Sequence, residues 1–125
     1  MLVRAKDPAS GKLDFPGGFV DPGEGALEGL KRECREELGW EPDGDFSLFA
    51  SFPNIYSYRG ISYNTCDLFF TTQAPKLRIE DLKLDKEENL EARFVDPRLV
   101  HPDDLAFDST KKAIEAYITK YYEAP

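Results

Sequence analysis

Four glutamates, one arginine and two glycines stand at fixed intervals in one stretch of this chain, GGFVDPGEGALEGLKRECREELGW from Gly17 to Trp40. Gly18 is followed after five residues by Glu24, and Glu24 after seven by Arg32, Glu33, an apolar Cys34, then Glu36, Glu37, Gly39 and an apolar Trp40. Carboxylates at such spacing are suited to hard divalent cations. On a helical wheel at about 100° per residue, Leu27, Leu30, Cys34 and Leu38 fall within an arc of roughly 80°, a core-facing stripe. Glu33, Glu36 and Glu37 fill an adjacent arc of about 100° on one side of that stripe only, while Glu28, Lys31 and Arg35 lie on the other flank. Two carboxylates about 5–6 Å apart repel by roughly 3 kcal/mol at an effective dielectric near 20. Protonation of one, or a neighbouring cation, relieves that cost. Oxygen donors suit Mg²⁺ or Mn²⁺. They do not suit zinc, because the chain holds one His and two Cys without nearby ligand partners.

The elements that must position these groups follow from pattern and punctuation. A helix is expected from about Ala26 to Leu38, with Glu28 favoured in its first turn and Gly39 closing it in the left-handed conformation. Leu2-Val3 reads as a strand end, Lys6 to Gly11 as a turn, and Leu13-Asp14-Phe15 as a short extended run halted by Pro16-Gly17-Gly18. Phe46 to Phe52 and Ile61 to Thr72 read as strands, rich in β-branched and aromatic residues, with PNIYSYRG between them as a loop. Ala92 to Val95 reads as a short strand. Ile114, Tyr117, Ile118 and Tyr121 have helical spacing, so a second helix is expected from about Ser109 to Tyr122. Strands around two helices predict a mixed α/β domain spanning residues 1–125.

Bulk properties narrow the partners. A chain of 125 residues is expected to form one domain with its own core. A formal net charge of −8 with no basic stripe argues against unaided binding to nucleic acid or an anionic membrane. No signal peptide or apolar run of membrane-spanning length is visible, so a cytoplasmic protein is the default expectation. Two cysteines make no disulfide framework, and both Cys34 and Cys66 read as small core residues. His101, in an HPDD turn, reads as a surface or helix-entry residue.

The stretch from Gly18 to Trp40 resembles the signature of the Nudix hydrolases. At typical usage of roughly 6–7% per residue type, seven identities at fixed spacing arise by chance on the order of once in 10⁸–10⁹ starts, so coincidence is not a competitor. The resemblance implies a Nudix fold, an α/β/α sandwich with a mixed sheet, in which residues 18–40 form a loop–helix–loop unit. It implies hydrolysis of a nucleoside diphosphate linked to another group, with Mg²⁺ or Mn²⁺, by attack of a metal-activated water on the pyrophosphate. By motif position it implies metal ligation by Glu33, Glu36 and Glu37, orientation of these carboxylates by Arg32, and support from Glu24 and the Gly18 backbone carbonyl. The segment Glu88 to Phe94 resembles a Glu-x-x-Glu-Ala-x-aromatic run of NADH pyrophosphatase-like members, making Glu88 the first candidate base or additional ligand and Glu91 the second. In PNIYSY and just before it, Phe52, Tyr56 and Tyr58 are candidates to stack on a base. NADH, ADP-ribose or a similar small nucleotide is the expected substrate. The competing expectation is a non-catalytic nucleotide- or ADP-ribose-sensing module, which the retained carboxylates disfavour.

The pattern departs from the family in three places. Cys34 and Trp40 fill slots where aliphatic residues are commoner. The resemblance weakens outside residues 18–40. Family members usually carry a strand or hairpin ahead of the segment matching Leu2 to Lys6, and the expectation is that this sequence starts near the end of that region. A misplaced start, a truncated chain or completion of the sheet by a second copy each fit that expectation.

Overall fold

In the computed structural model of the chain, which describes residues 1–123, the elements run in the order strand, strand, helix, long hairpin, short strand, helix. Strand β1 (Leu2–Arg4) lies at the centre of a three-stranded antiparallel sheet, between β2 (Leu13–Asp14) and the later short strand β5 (Asn89–Ala92). Leu2 pairs with Asp14 on one side and Ala92 on the other, with a register shift between Val3 and Arg4. The edges of this sheet therefore belong to β2 and β5. A second antiparallel sheet is the hairpin of β3 (Phe46–Tyr58) and β4 (Ile61–Thr72). Helix α1 (Ala26–Leu38) follows the glycine-rich loop, and α2 (Asp108–Tyr121) ends the fold. Two helices with antiparallel sheets give the mixed α/β architecture expected of an α/β/α sandwich. Among the described residues, the sheets' mixed character rests on a single parallel bridge, Leu13 to Leu105.

Both helices match their expected bounds to within a residue. The hairpin does not: the segment expected as a loop continues β3 to Tyr58, and the chain reverses at Arg59-Gly60 alone. Both turn residues take positive φ, +49° and +78°, the geometry of a two-residue turn whose twist matches its strands. Pro53 does not break the strand because β3 has a free edge, where a missing N–H costs no ladder bond. The last strand also differs, covering Asn89–Ala92 rather than Ala92–Val95. Its placement is set by pairing with β1, which buries Asn89 opposite Arg4.

The core gathers Leu13, Leu105 and Ile114, with Met1, Val3, Phe15, Val100 and Ile118 packed around them. Helix α2 lies on β3, where Phe49 meets Tyr117 edge-on at 5.9 Å and stacks on Tyr121 at 6.3 Å. Its first turn is buried among polar groups: Ser109 donates to Asp67 Oδ2 at 2.6 Å and Thr110 to Asp14 Oδ1 at 3.2 Å. Hydrogen bonding is what makes burial of these hydroxyls tolerable. Cys34 is buried as expected, whereas Cys66 is exposed, because it opposes Pro53 on the outer face of the hairpin. His101 is exposed and accepts the Asp103 N–H at the start of a short 3₁₀ turn. No helix among the described residues is long and apolar enough to cross a membrane.

Candidate active site

Helix α1 is amphipathic as its sequence dictates, with Cys34 and Leu38 buried and Gly39 closing it at φ +60°. Its glutamate flank faces the loop of residues 17–24, which folds back onto the helix. Gly17 N–H donates to Glu37 Oε2 at 3.2 Å. Asp21 N–H donates to Glu24 Oε1 at 2.9 Å, and Glu24 N–H to Asp21 O at 3.0 Å. Gly18 comes so near that a Cβ there would stand 2.8 Å from Glu33 Oε1. A side chain at this position would displace the Glu33 carboxylate from where it now lies.

Arg32 is the hub of the loop–helix unit. Its Nε donates to Glu24 Oε2 at 2.8 Å and lies 3.1 Å from Asp21 Oδ2. Its Nη1 donates to Glu33 Oε1 at 3.1 Å and Glu36 Oε2 at 2.9 Å. Its Nη2 donates to Glu24 Oε1 and to the Phe19 carbonyl, each at 3.1 Å. A planar fork with five donors can hold these acceptors at once; an ammonium cannot. The hydrogen bond from Arg32 holds Glu24 below the usual carboxylate range, and that to Glu24 raises the guanidinium's own pKa.

Glu37 stands apart from this cluster. Burial pushes its carboxyl up to about 7; the Gly17 N–H opposes that shift, while Glu33, Asp14 and Glu88 add to it. Glu33 is likewise raised, first by burial and then by its acidic neighbours, against the pull of Arg32. The structure thus brings together Gly18, Glu24, Arg32, Glu33 and Glu36, with Glu37 as a neighbouring second pole. Among the described residues it does not converge three acidic, His or Cys side chains on one point. The reason is visible: Arg32 draws the heads of Glu33 and Glu36 toward itself, and Glu37 turns to Gly17. Glu36 is the most exposed of the three, at 59%.

The two downstream candidates separate. The 83–89 segment is strapped to the end of α1 by Lys83 N–H to Leu38 O at 2.8 Å and Asp85 N–H to Glu37 O at 3.0 Å. This strap carries Glu88 near enough to Glu37 to raise its pKa, and Lys6 Nζ donates to Glu88 Oε1 at 3.0 Å. Glu91 lies on β5 and forms an exposed bidentate pair with Arg93, at 2.9 and 3.1 Å. Its side-chain hydrogen bonds and ion pair among the described residues are to Arg93 and not to residues 18–40.

The aromatic candidates also divide. Phe52 turns inward, tilted against Phe69 at 6.3 Å, and Phe69 in turn meets Phe15. Tyr56 and Tyr58 stack at 6.5 Å, and Tyr56 also meets Phe19 at 5.4 Å and Phe107 at 5.6 Å. Sequence reasoning missed Lys6, Phe19, Tyr63 and Phe107 as neighbours of the site. Phe19 carried a signal, a large apolar residue inside a turn-rich loop; the others depend on long-range pairing. Burial pushes the Cys34 thiol up to about 11, so it offers no thiolate near neutral pH. A separate groove of about 480 Å³ opens beside Gly39, Trp40, Pro75 and Arg78, and none of Glu33, Glu36 and Glu37 lines it.

Comparison with known proteins gives a family match and short local ones. The family model described as NUDIX domain matches residues 1–117. A U8 snoRNA-decapping enzyme of Mus musculus is 67% identical over 30 residues, 23% of this chain and 15% of that protein. The U8 snoRNA-decapping enzyme of Bos taurus is 59% identical over 39 residues, 30% of this chain and 20% of that protein. These matches span at most a fifth of the relatives' own length. No solved structure matches.

Proposed function

This chain belongs to the Nudix family, and from that premise we propose that it is a divalent-cation-dependent hydrolase cleaving a phosphoanhydride within a nucleoside diphosphate linked to another group. The observation that carries this reading is the Arg32 hub, which fixes Glu24, Glu33 and Glu36 in one cluster beside the desolvated Glu37. One guanidinium offsets only part of the repulsion among Asp21, Glu24, Glu33 and Glu36, which leaves an acidic cluster suited to a further cation.

The residues fit a hard divalent cation. Glu33 and Glu37 offer carboxylate oxygens whose charged forms burial disfavours, and the Gly18 backbone lies against the Glu33 carboxylate. Oxygen donors of this kind suit Mg²⁺ or Mn²⁺. Glu33, Glu37, the Gly18 carbonyl and, after a side-chain rotation, Glu36 would hold it. Such an ion supplies Lewis acidity and neutralises charge at the pyrophosphate. Arg32 positions: it sets the rotamers of the cluster and, through Glu24 and the Phe19 carbonyl, the shape of the loop. We assign the proton from the attacking water to Glu88, whose charge is felt at Glu37 and whose carboxylate accepts from Lys6 Nζ. Glu91 is paired with Arg93 instead.

The substrate class follows from the same chemistry. NADH, NAD⁺ and ADP-ribose carry the required linkage. The decapping relatives widen the class to capped RNA ends, since a cap is itself a nucleoside joined through phosphoanhydrides. A net charge of −8 favours recognition of a small terminal group over the body of a polyanion. The test is hydrolysis of NADH, NAD⁺, ADP-ribose, diadenosine polyphosphates and a short capped RNA, with Mg²⁺ and with Mn²⁺. Wild-type chain is expected to turn over one substrate well above the rest, and Glu37→Gln to lower that turnover by about 10²-fold or more without changing the circular dichroism spectrum. Full activity in Glu37→Gln and in Glu36→Gln would overturn the carboxylate assignment.

A further inference from the structure

Phe19 is 59% exposed, although it follows the glycine that touches Glu33. A phenyl ring left in water forfeits burial free energy, and loops usually place such rings inward. The backbone that carries this one is fixed at its own carbonyl and just beyond it. Arg32 Nη2 donates to the Phe19 carbonyl at 3.1 Å, and two residues later Asp21 N–H is bound by Glu24. The ring stands edge-on to Tyr56, with centroids 5.4 Å apart and planes at 87°, and near Tyr63 at 6.4 Å and 63°. Tyr56 and Tyr63 face each other across the hairpin in register, and Tyr63 is itself 41% exposed. Behind Tyr56 stands Phe107 at 5.6 Å, with the Arg4 guanidinium 5.1 Å from that ring's centroid. Tyr56 is therefore backed by packing, while Phe19 and Tyr63 leave aromatic surface open to solvent.

Two rings at a right angle make an L-shaped notch. A planar group stacked on the face of one presents its edge to the other, and both arrangements are favourable for aromatic pairs. We propose that Phe19, Tyr56 and Tyr63 form a subsite for the nucleobase of the substrate, deepening the nucleotide reading on which the proposal rests. The notch lies one residue from Gly18, so a base seated there keeps its ribose and phosphates beside Glu33 and Glu37. Stacking on aromatic faces is tolerant of base identity, so the subsite selects a planar ring ahead of any particular base. Phe19 and Tyr63 enter as specificity-determining residues.

The test reads binding rather than turnover, so it stands apart from the hydrolase assignment. Calorimetric titration with AMP and GMP is compared with ribose 5-phosphate, which keeps sugar and phosphate but lacks the base, in the presence of Mg²⁺. Wild-type chain is expected to bind either mononucleotide about 5- to 100-fold more tightly than ribose 5-phosphate. Phe19→Ala is expected to erase most of that preference and leave ribose 5-phosphate binding unchanged, and Phe19→Trp to preserve it. Tyr63→Ala reduces the preference by a smaller factor. Thermal unfolding of Phe19→Ala stays close to wild type, because the ring is mostly exposed. A wild-type chain without preference for the base, or Phe19→Ala and Tyr63→Ala variants that both retain it, overturns the subsite. Intact base preference with no hydrolysis of any substrate would instead count against the hydrolase reading alone.

Discussion

At the residue scale, one guanidinium does the organising. Arg32 contacts Glu24, Glu33, Glu36 and the Phe19 carbonyl simultaneously, so its replacement by lysine is not conservative. Arg32→Lys is expected to lower kcat/KM by about 10- to 100-fold, the usual loss when a group that orients ligands is removed; an unchanged value in steady-state assays would deny it the positioning role. Glu37 carries a pH signature. Its folded-state pKa is raised by burial from 4.5 to about 7. A raised carboxyl contributes its full stability below the unfolded value and loses it as pH rises through the folded one. With divalent ions chelated, Tm is therefore expected to fall between about pH 4.5 and 7, and Glu37→Gln to flatten that decline. Added Mg²⁺ should restore stability most at the upper end, because ligation requires the deprotonated form. Scanning calorimetry across that range measures both.

At the element scale, the helix ends and the turns decide what the carboxylates face. Gly39 ends α1 at φ +60°, donates its N–H to Arg35 O, and would crowd Lys83 Cβ at 3.0 Å if it carried a Cβ. Gly39→Ala combines left-handed strain with that contact. It is expected to cost about 1–2 kcal/mol by urea denaturation. Because Lys83 begins the strap that carries Glu88, the same variant should lower activity more than a remote substitution of equal stability cost. The hairpin shows the opposite lesson about turns. A segment with Pro, Asn, Ser and Gly reads as a loop, yet only Arg59-Gly60 forms the turn. The remaining residues pair because Tyr56 and Tyr58 have opposite them Tyr63 and Ile61, a stabilisation visible only once the register is known.

At the scale of the whole molecule, the charge of −8 opposes an anionic substrate. Screening should weaken that repulsion, so kcat/KM at saturating Mg²⁺ is expected to rise as NaCl increases from about 0.01 to 0.15 M, where the Debye length shortens from roughly 30 to 8 Å. A fall with salt would reveal a local cationic field at the entrance that outweighs the net charge. The division between sequence and fold is itself one of range. The stretch from Gly18 to Trp40 specified a helix, its boundaries, its core stripe, its carboxylate flank and its family, because each depends on neighbours within a few turns. The sequence did not determine that Arg32, more than any single carboxylate, is the centre of the cluster, since side-chain rotamers answer to the returning loop. It ranked Glu88 ahead of Glu91 by resemblance alone; the strap from Lys83 to Asn89 brought Glu88 toward Glu37, while Glu91 on β5 is paired with Arg93. It offered Phe52, Tyr56 and Tyr58 as equals; all three lie on one face of β3, and position along the strand set Phe52 against Phe69 and Tyr56 against Phe19 and Phe107. Phe19 gained its aromatic neighbours only through the hairpin, from residues more than thirty positions away in the chain. Local periodicity writes a helix and its chemistry into sequence, while which distant side chains meet it is decided by packing, where register and burial outweigh any local preference.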